Sequence, residues 1–146
     1  MILYTIGFTK RTAKEFFDTI HSEAIELLVD IRLNNTSQLA GFTKKEDLDY
    51  FLEKICACQY DHNPALSPTK EILDDYKKGI IPWEEYSDLF LQLMQQRGMT
   101  ESFAERYGAY DRVCLLCSEL SPAHCHRRLV AEALTRKNPT WEIRHL

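Results

Sequence analysis

The stretch Val113–Leu134 constrains this chain more than any other. Val113-Cys-Leu-Leu-Cys117 is a short apolar run of the kind a buried strand uses. A polar turn follows. Within it, Ser121-Pro122 has the form of a helix N-cap with proline at the first helical position. Leu129, Val130, Ala133 and Leu134 then supply an apolar face at helical spacing. Strand, turn and helix in immediate succession make one β-α unit. Into its turn and first helical residues crowd Cys117, Glu119, His124, Cys125, His126, Arg127 and Arg128. The density of ionisable groups points to a site.

The rest of the chain repeats the pattern. Ile2–Ile6 reads as a strand ended by Gly7, and Thr12-Ala-Lys-Glu15 has capping-box form ahead of Phe16, Phe17 and Ile20 at helical spacing. The run 25–31 is a second strand. Thr43-Lys-Lys-Glu46 is another capping-box pattern, opening a helix with Leu48, Phe51 and Leu52 on one face. A third strand is expected over 58–62 and a last one over 140–145. Helices are expected from Ser67-Pro68, from Pro82 and around 101–107, with Gly79 and Gly98 as stops. Alternating strands and helices predict a three-layer α/β fold, a mostly parallel sheet with helices on both faces, Rossmann/flavodoxin-like, as one domain over 1–146.

In such folds ligands sit at the carboxyl ends of the strands. That rule brings Gly7, Arg32, Ser37, His62 and Glu119 to one edge, beside the helix that follows Pro122. Arg32 and Arg127 are candidate ligands for an anion, because guanidinium forks suit phosphate and carboxylate. Asp30 is placed to pair with Arg32. Glu119 and His126 are candidates for general acid–base work, or Glu119 holds the loop through Arg127. Cys125, in the first turns of a helix beside His and Arg, is either an activated thiol or core packing. Cys117 and Cys114 read as core.

Several chemistries are disfavoured. His124-Cys125 begins like a cysteine-phosphatase signature, but the position that needs arginine is Ala131. Among Cys117, His124, Cys125 and His126 the spacing matches no zinc-ligand pair, and adjacent helical residues point about 100° apart. No metal and no cofactor is therefore expected. The net charge of −4 argues against a nucleic-acid-coating surface, although a local basic pocket is compatible with it. No apolar run has the length of a membrane span, and the N-terminus lacks the basic start of a secretory leader. Five cysteines, an odd number in no disulfide-scaffold spacing, favour a reducing cytoplasm.

Taken in order, Tyr4-Thr-Ile-Gly7, Val29-Asp-Ile-Arg32, Ser37, Phe42-Thr-Lys44, Tyr60-Asp-His62-Asn-Pro64-Ala-Leu66, Leu115-Leu-Cys117-Ser-Glu119, Cys125-His-Arg127 and His145 resemble the pattern of the domain of unknown function 488 family. The likeness departs from that pattern at Asn35-Thr36, where proline often precedes the loop serine, and at Ser67, where glycine is common. It implies an α/β fold with a polar pocket at the strand ends, and no activity. Three functions stay open: an enzyme acting on a phosphate-bearing or nucleotide-like small molecule, a hydrolase or transferase; a non-catalytic module for a small anionic ligand or a nucleic-acid end; and a thiol-based redox or sulfur-transfer protein.

Overall fold

The computed structural model describes residues 1–36 and 40–146. Five strands form one parallel sheet: β1 (Ile2–Gly7), β2 (Leu27–Asp30), β3 (Gln59–His62), β4 (Arg112–Cys117) and β5 (Glu142–His145), in the order β3-β2-β4-β1-β5. Each lies within a predicted run or one residue from it. Helices cover both faces, which makes the three-layer α/β architecture anticipated above.

β4 occupies the middle because both of its faces are apolar. Alternation along a strand sends successive side chains to opposite sides. Val113 and Leu115 join Leu3, Leu27 and Val29 in one core, while Cys114 and Leu116 join Tyr4, Ile6 and Leu28 in the other. The first core is closed by α4 (Trp83–Gln96), α5 (Met99–Tyr107) and α6 (His126–Lys137) through Phe90, Met94, Phe103, Leu129, Val130 and Leu134. The second is closed by α1 (Ala13–Ser22) and α2 (Lys45–Phe51) through Phe16, Phe17, Ile20 and Leu48. Connections from β1 and β2 thus run to one face and the connection from β4 to the other. The carboxyl end of β4 is a place where neighbouring loops part, the geometry that opens a crevice in sheets of this kind.

Local signals fared unequally. Thr12 forms the expected capping box, its hydroxyl accepting from the Glu15 amide while Glu15 accepts from the Thr12 amide. Pro82 caps α4, and Gly98, at φ +63°, lets that helix end and α5 begin one residue later. Thr43 makes no capping box. Its hydroxyl donates to the Ala40 carbonyl and its own carbonyl accepts from Arg32, so α2 starts at Lys45 without a side-chain cap. α3 (Lys70–Lys77) is capped by Thr69 and not by Ser67. The largest departure lies after β4. The Ser121 hydroxyl accepts from the Ala123 amide, a local turn that competes with helix, and α6 begins only at His126 with Cys125 as its cap residue in extended conformation.

Leu115 is fully buried in the central strand. Leu115→Ala should lower unfolding free energy by about 2–5 kcal/mol in denaturant titration, whereas Leu120→Ala, at a site 41% exposed, should stay within about 0.5 kcal/mol.

Candidate active site

Cys117 is the last residue of β4 and shares the face of Val113 and Leu115 by strand alternation, so its thiol looks toward α6. Cys114, although three residues away, belongs to the opposite core. Cys117 meets the start of α6. The Sγ of Cys117, the Sγ of Cys125 and a ring nitrogen of His126 lie within 4.8 Å of one another, all three residues buried. They form part of the wall of a cavity of about 600 Å³, a size that suits a small molecule. Arg32, Asn34, Lys70, Tyr76, Lys77, Tyr86, Glu119 and His124 complete much of its lining.

The imidazole of His126 is oriented by the backbone. Its Nε2 lies 2.8 Å from the Ile31 carbonyl oxygen. A carbonyl only accepts, so Nε2 carries the proton. Nδ1 then carries the lone pair and lies 3.6 Å from the Cys117 Sγ, with Nε2 4.0 Å from the same sulfur, so the thiol sits beside the ring and off the Nδ1 axis. The edge contact of the Phe90 ring, at 5.6 Å between centroids, supports the imidazole from below.

Arg127 is fully buried, the largest side chain to be so. Its guanidinium donates to the carbonyls of Glu119 and Leu120 and lies 3.7 Å from the Cys125 Sγ. Among the described residues no carboxylate pairs with it, and its Nε has no partner. A buried cation without a carboxylate is costly unless another anion lies nearby. The Cys117 thiol answers that need. Its pKa is held below the ordinary thiol value, first by the Cys125 thiol donating to it, then by the Ser118 amide, the Arg127 charge and the Glu119 amide, against the opposing effect of burial. The Cys125 thiol is pushed the other way, first by that same hydrogen bond, then by burial and the negative charge of Cys117.

The sequence-predicted residues divide accordingly. His126 and Cys125 meet within 4.8 Å, which adjacent helical residues would not do; Cys125 precedes α6 in extended conformation, so the helical angle does not apply to it. Arg127 is absent from the cavity lining and holds the loop 119–120 from within. Gly7 stands where a Cβ would overlap the Glu119 carbonyl and press on Arg127, so its role is to admit that loop. Arg32 does reach the cavity, but Asp30 covers its charge with contacts of 2.8 and 2.7 Å, and the Thr43 carbonyl takes a further N–H. His62 donates through Nε2 to the Arg32 carbonyl at 2.9 Å. Glu119 is exposed at the cavity rim, and its carboxylate makes no hydrogen bond to His126 among the described residues. Ser37 lies outside the described residues. His145 pairs with Thr5 across β1 and β5 at 2.6 Å, apart from the cavity lining. The residue read as core was Cys117. Strand alternation and its place at the carboxyl end of β4 were the signals that marked it.

Two cysteines and a histidine are also the ligand set of a thiophilic metal ion, with the Nε2–H···O=C bond as an orienting contact. The fixed guanidinium beside Cys125 opposes a dication there and favours a thiolate. Among the described residues no helix is long and apolar enough to cross a membrane.

Gly7→Ala should cost about 3 kcal/mol, the upper end for overpacking, because the obstacle is backbone. Asp30→Ala leaves Arg32 buried without its counter-charge and should cost about 3–5 kcal/mol. Denaturant titration reads both, and Asp18→Ala on the surface is the control.

A protein-family comparison matches residues 12–134 to the family described as "Domain of unknown function DUF488". No curated protein and no solved structure matches the chain.

Proposed function

This chain belongs to the domain of unknown function DUF488 family, and we propose that it is an enzyme of thiol-mediated group transfer in which Cys117 is the nucleophile and His126 its base. The observation that carries the reading is the bond from His126 Nε2 to the Ile31 carbonyl, which leaves Nδ1 as the unprotonated ring nitrogen, 3.6 Å from the Cys117 Sγ. A thiol and an imidazole oriented by a third group are the arrangement that activates a cysteine nucleophile. The buried Arg127 stabilises the anion.

The chemistry is a displacement. The Cys117 proton moves to His126 Nδ1. Sγ attacks an electrophilic atom of a small molecule in the cavity, and the bond to the leaving group breaks with its electron pair. The leaving group takes the proton back from Nδ1. Cys125 and Arg127 sustain the thiolate, and Glu119 meets substrate at the rim. The phosphate-clamp reading has less support: Arg127 turns away from the cavity and Asp30 neutralises Arg32. A location in the cytoplasm accords with five free thiols.

Alkylation by iodoacetamide, mapped by peptide mass spectrometry across pH, tests the proposal. The thiolate is the reactive form, so labelling rises with pH through the thiol's pKa. Cys117 should be labelled at lower pH than Cys56, whose thiol burial pushes up to about 11. His126→Ala should move the Cys117 profile to higher pH. Labelling of Cys56 ahead of Cys117, or a Cys117 profile indifferent to His126→Ala, would contradict it.

A further inference from the structure

We infer that Cys117 and Cys125 form a dithiol–disulfide couple, with Cys125 resolving the adduct on Cys117, and that the substrate class is the disulfide of a small thiol. The inference rests on the nucleophile proposed above and adds to it a second sulfur and a substrate.

Geometry carries it first. Both sulfurs face one cavity and lie within 4.8 Å of each other, Cys117 fixed at a strand end and Cys125 at the extended residue that precedes α6. Cys125 is the extended cap residue, its carbonyl accepting from the Arg128 amide, and a rotation of its side chain toward Cys117 leaves that backbone bond in place. The remaining thiols are placed otherwise. Cys114 is on the far face of the sheet, Cys58 is in that same far core, and Cys56 packs against it, donating to the Phe17 carbonyl. Cys117 and Cys125 are 6% and 3% exposed at the cavity wall, which admits a small disulfide and excludes one held rigidly in a folded protein.

The charge balance gives the steps an order. Two of the three causes that keep the Cys125 proton in place are the hydrogen bond to Cys117 and the negative charge of Cys117. Both vanish once Cys117 carries a sulfenyl group, and the His126 imidazole, which lowers the Cys125 pKa, remains. Formation of the adduct therefore arms the second thiol. In the first step the Cys117 Sγ attacks one sulfur of the disulfide, a new S–S bond forms, the old one breaks, and the departing thiolate takes the proton from His126. In the second step Cys125 gives its proton to His126 and its Sγ attacks the Cys117 Sγ. The second small thiolate leaves and is protonated in turn. Two protein thiols are oxidised and one disulfide is reduced to two thiols. A small dithiol, by the reverse exchange, restores the protein.

The probe is hydroxyethyl disulfide, added to the reduced protein and followed by intact mass and peptide mapping. The wild type should lose two hydrogens, release both mercaptoethanol equivalents and yield a Cys117–Cys125 cross-linked peptide that dithiothreitol reverses. Cys125→Ser should stop at the mixed disulfide on Cys117, releasing one equivalent. Cys117→Ser should yield no cross-linked peptide and release at most one equivalent, because the adduct on Cys125 has no thiol beside it to resolve it. A wild type that accumulates a stable mixed disulfide on Cys117 would overturn the resolving role while leaving the nucleophile proposal intact. An unmodified Cys117 in both wild type and Cys125→Ser would overturn the two together. Circular dichroism of each serine variant shows whether its fold persists.

Discussion

The hydrogen bond from His126 to the carbonyl of Ile31 joins two pieces of chain 95 residues apart. One is the first residue of α6 and the other leaves β2. On that bond depend the tautomer of the imidazole, the direction of its free nitrogen and the meeting of Cys117 with a base. It also ties the start of α6 to the end of β2, whose Asp30 pairs with Leu116 of β4. Backbone carbonyls at strand ends are fixed by the sheet, so the imidazole inherits the rigidity of the strands.

Arg127 plays the complementary part. The Glu119 carbonyl fills the space that Gly7 leaves empty, and the guanidinium ties down that carbonyl and the next. The loop can then present the amides of Ser118 and Glu119 to the Cys117 sulfur. A charge this deep would be a liability in an inert core. Beside a thiol it joins the Cys125 thiol and the Ser118 amide in holding the Cys117 pKa down. Asp30, Arg32 and Tyr60 form a second buried polar cluster at the end of β2, with the Tyr60 hydroxyl 2.6 Å from Asp30. That cluster shapes the cavity wall while leaving little net charge on it.

Sequence periodicity was sufficient for the strands and for most helices, because both depend on side chains near one another along the chain. It was insufficient where a distant group intervened. Thr43 has the form of a helix cap, yet Arg32 and Ala40 claim its polar atoms. Ser121-Pro122 has the form of a helix start, yet the serine closes a turn on Ala123 and the helix waits for His126. Arg127 has the form of a ligand-binding arginine, and only the packing of β1 against the loop after β4 shows that it faces inward. Cys117 was within reach of period-two reasoning: Val113 and Leu115 share its face, and its place at the strand's carboxyl end distinguishes it from Cys114. Membership of the DUF488 family, matched over residues 12–134, is silent on the chemistry.

The central claim is that His126 keeps an unprotonated Nδ1 beside Cys117. Long-range proton–nitrogen correlation spectra of the five histidines in the labelled protein read ring protonation directly. A proton on Nε2 and a bare Nδ1 are expected for His126 in the folded wild type and equally in Cys117→Ser, because the Ile31 carbonyl fixes the tautomer. A neutral His126 with its proton on Nδ1 and a bare Nε2 would contradict it.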